Sequence, residues 1–186
     1  MQQGRVVRGG FELTPRLIAL AGVMIAVVFV ATRLIQVPIP GGYVHLGDIA
    51  IYFASFTFGP LVGAIAGALG PTLADLSSGF ANYAPGTFVI HGLQGLVAGL
   101  IGWRAGLWRM ALAGLVGGVI LVGGYFIYDF FILRVGTGTA IADVWFNLGQ
   151  AATGAIVSIP LVLAVRKVYP PIETWTARRV WQEEPR

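Results

Sequence analysis

The residues able to do chemistry in this sequence are few and regularly spaced. Thr87, His91 and Gln94 recur at i, i+4 and i+7, and Asp143, Asn147, Gln150 and Gly154 at i, i+4, i+7 and i+11. Tyr125 and Asp129 lie four apart, and Thr72, Asp75 and Ser78 are spaced by three. On helices each set forms one stripe. Turned toward one another, the stripes make a pocket of carboxylates, amides, an imidazole and phenols, suited to a small polar ring compound. Asp75 and Asp129 would attract a basic ring nitrogen, His91, Asn147 and Gln150 would read a polar edge, and the tyrosines would stack.

Recognised hydrolytic chemistry lacks its parts. The chain has two histidines, His45 and His91, and no cysteine, His-Glu-x-x-His or Gly-x-Ser-x-Gly. Without cysteine there is no thiolate nucleophile, disulfide or Cys-ligated metal site. The single lysine, Lys167, has no P-loop around it, so ATP work falls to another chain. The residues point to a binding protein, not an enzyme, with no cofactor or metal.

The elements that must carry these stripes are membrane helices. Of 186 residues, 56% are hydrophobic and only 11% charged, with a mean hydropathy of +0.80, against about a quarter charged in soluble domains. No Asp, Glu, Lys or Arg occurs in 17–32, 49–74, 76–103, 110–128 or 144–165. A bilayer-spanning helix needs about 20 apolar residues. Gly59-Pro60 splits the second gap into helices over 48–58 and 60–78. The first of these is short, and either continues through loop backbone or belongs to a re-entrant hairpin. The third gap opens with Ser77-Ser78-Gly79 and Ala84-Pro85-Gly86, which places its helix near 86–103. The expected fold is thus an all-α membrane bundle of six helices over 17–166, flanked by tails 1–16 and 167–186. The apolar stretch from Leu17 to Ile35 has no small-residue cleavage site, so it reads as helix 1 and not a signal peptide.

Basic residues set the orientation. Arg5, Arg8 and Arg16 precede helix 1, Arg104 and Arg109 join helices 4 and 5, and Arg166, Lys167, Arg178, Arg179 and Arg186 follow helix 6. Arg33 and Arg134 alone lie on the other side, so both termini are expected in the cytoplasm. Trp103, Trp108, Tyr169 and Trp175 are placed to anchor at the inner interface. The basic tail fits this topology and anionic lipid headgroups better than nucleic acid. Glu12, Glu173, Glu183 and Glu184 then fall in the tails, and Asp48, Asp75, Asp129 and Asp143 near the outer helix ends. Ionisable groups at membrane depth mark ligand or ion paths.

Plainer roles compete. Asp48 and Asp143 read best as caps of helix amino termini, where a carboxylate accepts backbone N–H bonds. Asp75 and Asp129 sit at carboxy-terminal ends, where an anion is disfavoured, so a partner or ligand explains them better. His91 is equally readable as a buried histidine on a carbonyl, Asn147 and Gln150 as helix glue, and Tyr125 and Tyr128 as an aromatic belt. Arg33 and Arg134 either snorkel or neutralise Asp48 and Asp129. Small residues also form stripes: Gly63 and Gly67 on helix 3, Gly95 and Gly99 on helix 4, and Gly22 and Ala26 on helix 1. The first two suit packing within the chain, whereas the face of helix 1 suits a second membrane protein.

Between helices 1 and 2 the run Val37-Pro38-Ile39-Pro40-Gly41-Gly42-Tyr43-Val44-His45-Leu46-Gly47-Asp48 is too stiff for a passive connector. With Gly79-Phe80-Ala81-Asn82-Tyr83-Ala84-Pro85-Gly86-Thr87 it forms an outer rim, where Tyr43, His45, Asn82 and Tyr83 would cover a solute.

These loops carry a resemblance. Ile39-Pro40-Gly41-Gly42-Tyr43 running into Leu46-Gly47-Asp48, Phe58-Gly59-Pro60 with Gly63 and Gly67, Ala74-Asp75 with Ser78-Gly79, and Tyr83-Ala84-Pro85-Gly86-Thr87 leading to Gly92-Leu93 are similar to the substrate-binding S components of energy-coupling factor vitamin transporters. The group includes hydroxymethylpyrimidine, pyridoxine and riboflavin uptake proteins, and the similarity spans about residues 17–166. It implies a six-helix S-component fold, a vitamin held under the outer loops, a membrane T component and two ATPase subunits. The family's docking motif on helix 1, two alanines four apart, appears here as Gly22-x-x-x-Ala26. Where relatives have lysine before the Gly-Leu of helix 4, this chain has His91. The favoured solute on these grounds is a thiamine-precursor pyrimidine, ahead of pyridoxine or riboflavin. A stand-alone proton-coupled carrier using Asp75, Asp129 and His91 is the other class, but neither an inverted repeat nor discontinuous helix pairs support it.

Overall fold

The computed structural model describes residues 15–176. The Arg and Glu residues of the sequence tails outside that range, Arg5, Arg8, Glu12, Arg178, Arg179, Glu183, Glu184 and Arg186, therefore lie outside the described residues. Six α-helices follow the charge-free gaps: α1 (Pro15–Leu34), α2 (Gly47–Phe58), α3 (Pro60–Ser78), α4 (Ala84–Gly102), α5 (Leu107–Ile127) and α6 (Thr137–Val168). All but α2 are long and apolar enough to cross a bilayer. At about 1.5 Å per residue, the 12 residues of α2 rise only about 18 Å.

Local sequence explains the breaks. Gly59 takes φ +99°, a conformation that glycine enters cheaply, and Pro60 opens α3 as its first residue. Gly79 ends that helix with φ +87° in the left-handed region. Gly136, at φ +95°, precedes α6, which begins at Thr137. Asp143 is accordingly inside the helix, about two turns beyond the cap position at Gly136, and the cap role expected from sequence is corrected. Asp48 lies in the first turn of α2 but makes no side-chain cap bond, so that expectation is corrected too.

Short α2 is the axle of the bundle. It packs on α1, α3, α4 and α6, and Ile51, Tyr52, Ala54 and Phe56 are fully buried. One apolar cluster joins Met24 and Val28 of α1 to Ala50, Ile51 and Ala54, with Val62 and Ala66 of α3. A second joins Tyr52 and Phe56 to Ala98, Met110, Ala113, Ile159 and Val162. At the end opposite the aspartates, Arg166 donates to the carbonyls of Ala105 at 2.7 Å and Phe56 at 3.0 Å. Ile172, in a short turn after α6, is buried against the first cluster.

Two features position the site and were not legible as elements. The loop between α1 and α2 is a small antiparallel hairpin, β1 (Gln36–Pro38) paired with β2 (Tyr43–His45). After α5 the chain continues as a π-helical turn, Tyr128–Leu133, which carries Asp129 inward.

Candidate functional site

The hairpin lies over the ends of α3, α4, α5 and α6 and closes down on a pocket whose cavity volume is about 30 Å³. Tyr43, His45, Asp75, Tyr83, Thr87, Tyr125, Asp129, Asp143, Asn147 and Gln150 line it, with Ile39 and Gly42. The sequence stripes therefore do converge. Asp75 Oδ2, Asp129 Oδ1 and Asp143 Oδ2 are buried and have no hydrogen-bond partner among the described residues. Asp143 joins this set although it was read from sequence as a cap.

The lid is bolted down on three sides. Tyr43 donates its O–H to Asp75 Oδ1 at 2.5 Å, and Gln36 Nε2 reaches Ser78 Oγ at 3.1 Å, tying the hairpin to α3. Tyr83 donates to the Gly41 carbonyl at 2.5 Å. On α6, Asp143 Oδ1 accepts the Gly41 N–H at 3.3 Å and Gln150 Oε1 accepts that of His45 at 2.7 Å. Burial first, and then Asp75, raise the Tyr43 hydroxyl above its ordinary pKa, and burial with Asp129 does the same for Tyr83. Both phenols keep their protons and act as donors. A Cβ at Gly41 would run into the Asp143 carboxylate, so a larger residue there would have to displace that side chain.

Other expected site residues sit elsewhere. His91 and Gln94 are fully buried behind the pocket wall, and neither lines it. His91 Nε2 lies 3.3 Å from Asp48 Oδ1, and its Nδ1 lies 3.3 Å from the Tyr125 hydroxyl. Asp48 is thus under the lid, against His91, and not at the pocket surface. Asn82 is exposed on the rim, where its carbonyl accepts the Tyr128 hydroxyl at 2.8 Å. Arg33 and Arg134 are exposed, and neither pairs with a carboxylate among the described residues. Gly22 and Ala26 are exposed on α1, and a Cβ at Gly22 would meet nothing within 4 Å.

His45 makes the lid sensitive to acid. It is 6% exposed, and its Nδ1 accepts the Gly47 N–H at 3.1 Å. Burial, and then the neighbouring His91, lower its pKa from 6.5 to about 3. The folded chain therefore keeps this ring neutral where the unfolded chain binds a proton. Its contribution to stability is complete above pH 6.5 and is lost as pH falls from there toward about 3. We expect the melting temperature to drop on acidification from neutral pH to pH ~4, and His45→Gln to flatten that slope. An equal slope in the variant would assign the acid sensitivity to other groups.

A second space of about 280 Å³ adjoins the pocket on the side of α6, lined mainly by Ile35, Val37, Val44, Leu46, Trp145 and Phe146. His45 and Gln150 border both spaces and so form the partition between them.

Comparison with known proteins agrees with this architecture. Residues 12–167 match the family model described as ECF-type riboflavin transporter, S component. The chain is 37% identical over 144 residues to the thiamine precursor transporter HmpT of Lactococcus lactis subsp. cremoris (strain MG1363), covering 76% of this chain and 82% of that one. It is also 35% identical over 151 residues to the "Uncharacterized protein in gap 3'region" of Pyrococcus woesei, covering 78% and 98% respectively.

Proposed function

The chain belongs to the family of ECF-type riboflavin transporter S components, and from that premise we propose that its solute is a thiamine-precursor pyrimidine, ahead of pyridoxine or riboflavin. It is an integral membrane protein and the substrate-binding subunit of a vitamin or vitamin-precursor transporter, not an enzyme. The choice of solute rests on one observation: Asp75, Asp129 and Asp143 converge on a single pocket, each with a buried oxygen that has no hydrogen-bond partner among the described residues. Such a site suits a ring bearing a basic nitrogen and an amine, whereas the isoalloxazine of riboflavin is larger and uncharged. The relative named as a thiamine precursor transporter favours the same solute. Tyr43, Tyr83 and Tyr125 supply aromatic faces, and Asn147 and Gln150 supply amides for the polar edge.

An S component implies a membrane T component and ATPase subunits as partners. We assign their docking to the exposed Gly22 and Ala26 face of α1, with both termini on the cytoplasmic side and the lid outside. The solute enters under the hairpin and is released inward when the ATPases act.

The test is thermal stability of the detergent-purified chain against water-soluble vitamins and their precursors. A ligand at a hundred times its Kd adds about 2.7 kcal/mol to the folded state. A saturable shift with hydroxymethylpyrimidine alone is the expected result. A shift with riboflavin alone would replace the pyrimidine, and no shift from folded protein would sink the vitamin reading. Uptake abolished by an uncoupler at constant ATP would make the chain a proton-coupled carrier instead.

A further inference from the structure

Behind the pocket wall, four polar groups form a line whose hydrogen-bond direction matters. Thr87 Oγ1 and the Tyr125 hydroxyl are 2.8 Å apart, and that hydroxyl is 3.3 Å from His91 Nδ1. His91 Nε2 is 3.3 Å from Asp48 Oδ1, an ion-pair distance at which the two atoms do not complete an aligned hydrogen bond, and both residues are fully buried. Thr87 and Tyr125 line the pocket, and Asp48 and His91 do not.

Asp48 lies in the first turn of α2, where the unpaired N–H groups and the dipole favour an anion. As a carboxylate it can only accept. In a neutral His91 ring the hydrogen then belongs on Nε2, facing Asp48, and Nδ1 is left as an acceptor. Its neighbour, the Tyr125 O–H, points back into the wall. Tyr125 has no hydrogen left for the solute, and its oxygen accepts from Thr87, whose own single hydrogen is used in turn. The solute meets oxygen lone pairs here, as it does at Asp75, Asp129 and Asp143.

We propose that Asp48 and His91 are positioning residues for specificity: Asp48 fixes the His91 tautomer, and that tautomer turns the Tyr125–Thr87 wall into an acceptor that selects an amine over a carbonyl. The inference deepens the pyrimidine reading and rests on it for the identity of the amine. A small heteroaromatic ring with an exocyclic amino group fits such a wall. Its oxo counterpart would set lone pair against lone pair.

The first experiment needs no ligand. The chain contains only two histidines, so 15N-histidine labelling gives a spectrum of two rings, assigned with His45→Gln. At neutral pH we expect His91 to carry hydrogen on Nε2 with a bare Nδ1. Hydrogen on Nδ1, alone or with Nε2, would overturn the proposal. The second experiment compares binding of the aminopyrimidine and the oxo counterpart by wild type and Asp48→Asn. An amide can give or accept, so the ring is released and Tyr125 recovers a hydrogen for the solute. We expect the preference for the amine to fall roughly ten-fold in the variant, the scale of one misdirected hydrogen bond. An unchanged ratio would overturn the proposal even if both affinities fall. Should wild type bind neither pyrimidine, the solute reading fails, and the His91 spectrum alone decides the relay. The same spectrum decides it if Asp48→Asn does not fold.

Discussion

Gly95→Val is expected to destabilise the folded chain by about 3 kcal/mol or more, enough to empty the monodisperse peak in detergent. A Cβ at Gly95 would strike the Gly63 carbonyl oxygen and lie 2.6 Å from its carbon. Gly63 answers from α3, where a Cβ would meet the Gly95 oxygen at 2.9 Å, and one at Gly99 would meet the nitrogen of Pro60 at 2.7 Å. These obstacles are backbone, so no side chain can rotate away. The helices must separate, and separation of α3 from α4 also opens the packing on α2. Gly22→Val is the control, since nothing lies within 4 Å of a Cβ there, and it should leave the unfolding free energy within about 0.5 kcal/mol of wild type. If Gly95→Val melts like wild type, the α3–α4 seam is not as close as described.

Those two glycines show what a sequence stripe can and cannot say. Small residues at i and i+4 mark a close approach, and both α1 and α4 carry the pattern. Which approach is internal depends on where the neighbouring helix passes, and that is a long-range fact. Helix ends were more legible, because charges, Gly59-Pro60 and Gly79 are local signals. The start of α6 was misplaced for the opposite reason: Asp143 resembles a cap, but Gly136 already provides the turn, and the helix runs through the aspartate.

The site was legible by face and not by depth. Thr87, His91 and Gln94 share one stripe of α4, and all three are buried. Four residues of helix amount to about 6 Å of rise, so His91 falls one turn below Thr87 and leaves the pocket for the wall. Periodicity fixes azimuth, but the floor is set by bulk arriving from α2 and β2. The hairpin itself was foreseen as a lid because prolines and glycines stiffen it. That the lid would use Asp75 and Asp143 as anchors has no signature in their spacing, since each partner, Tyr43 or Gly41, is distant in sequence.

That double use of Asp75 makes its replacement informative. Asp75→Asn is expected to weaken binding of the pyrimidine about 100-fold, with Asp129→Asn close behind, while both variants express and fold. Asp75 is 3% exposed, accepts from Tyr43 through Oδ1, and keeps Oδ2 free of partners among the described residues. A hydrogen bond to a charged group contributes about 1.5–3 kcal/mol, which is roughly a 10- to 150-fold change in Kd. Asparagine preserves the shape and can still accept from Tyr43, so the lid bond survives and the anion is lost. Tyr43→Phe does the reverse, removing the lid bond and leaving the carboxylate. If the carboxylate holds the solute, Asp75→Asn should lose far more affinity than Tyr43→Phe, whose effect should appear mainly as faster dissociation. If Asp75 serves only as a latch, Tyr43→Phe should be at least as harmful. Unchanged affinity in both Asp75→Asn and Asp129→Asn would remove the carboxylates from solute binding altogether.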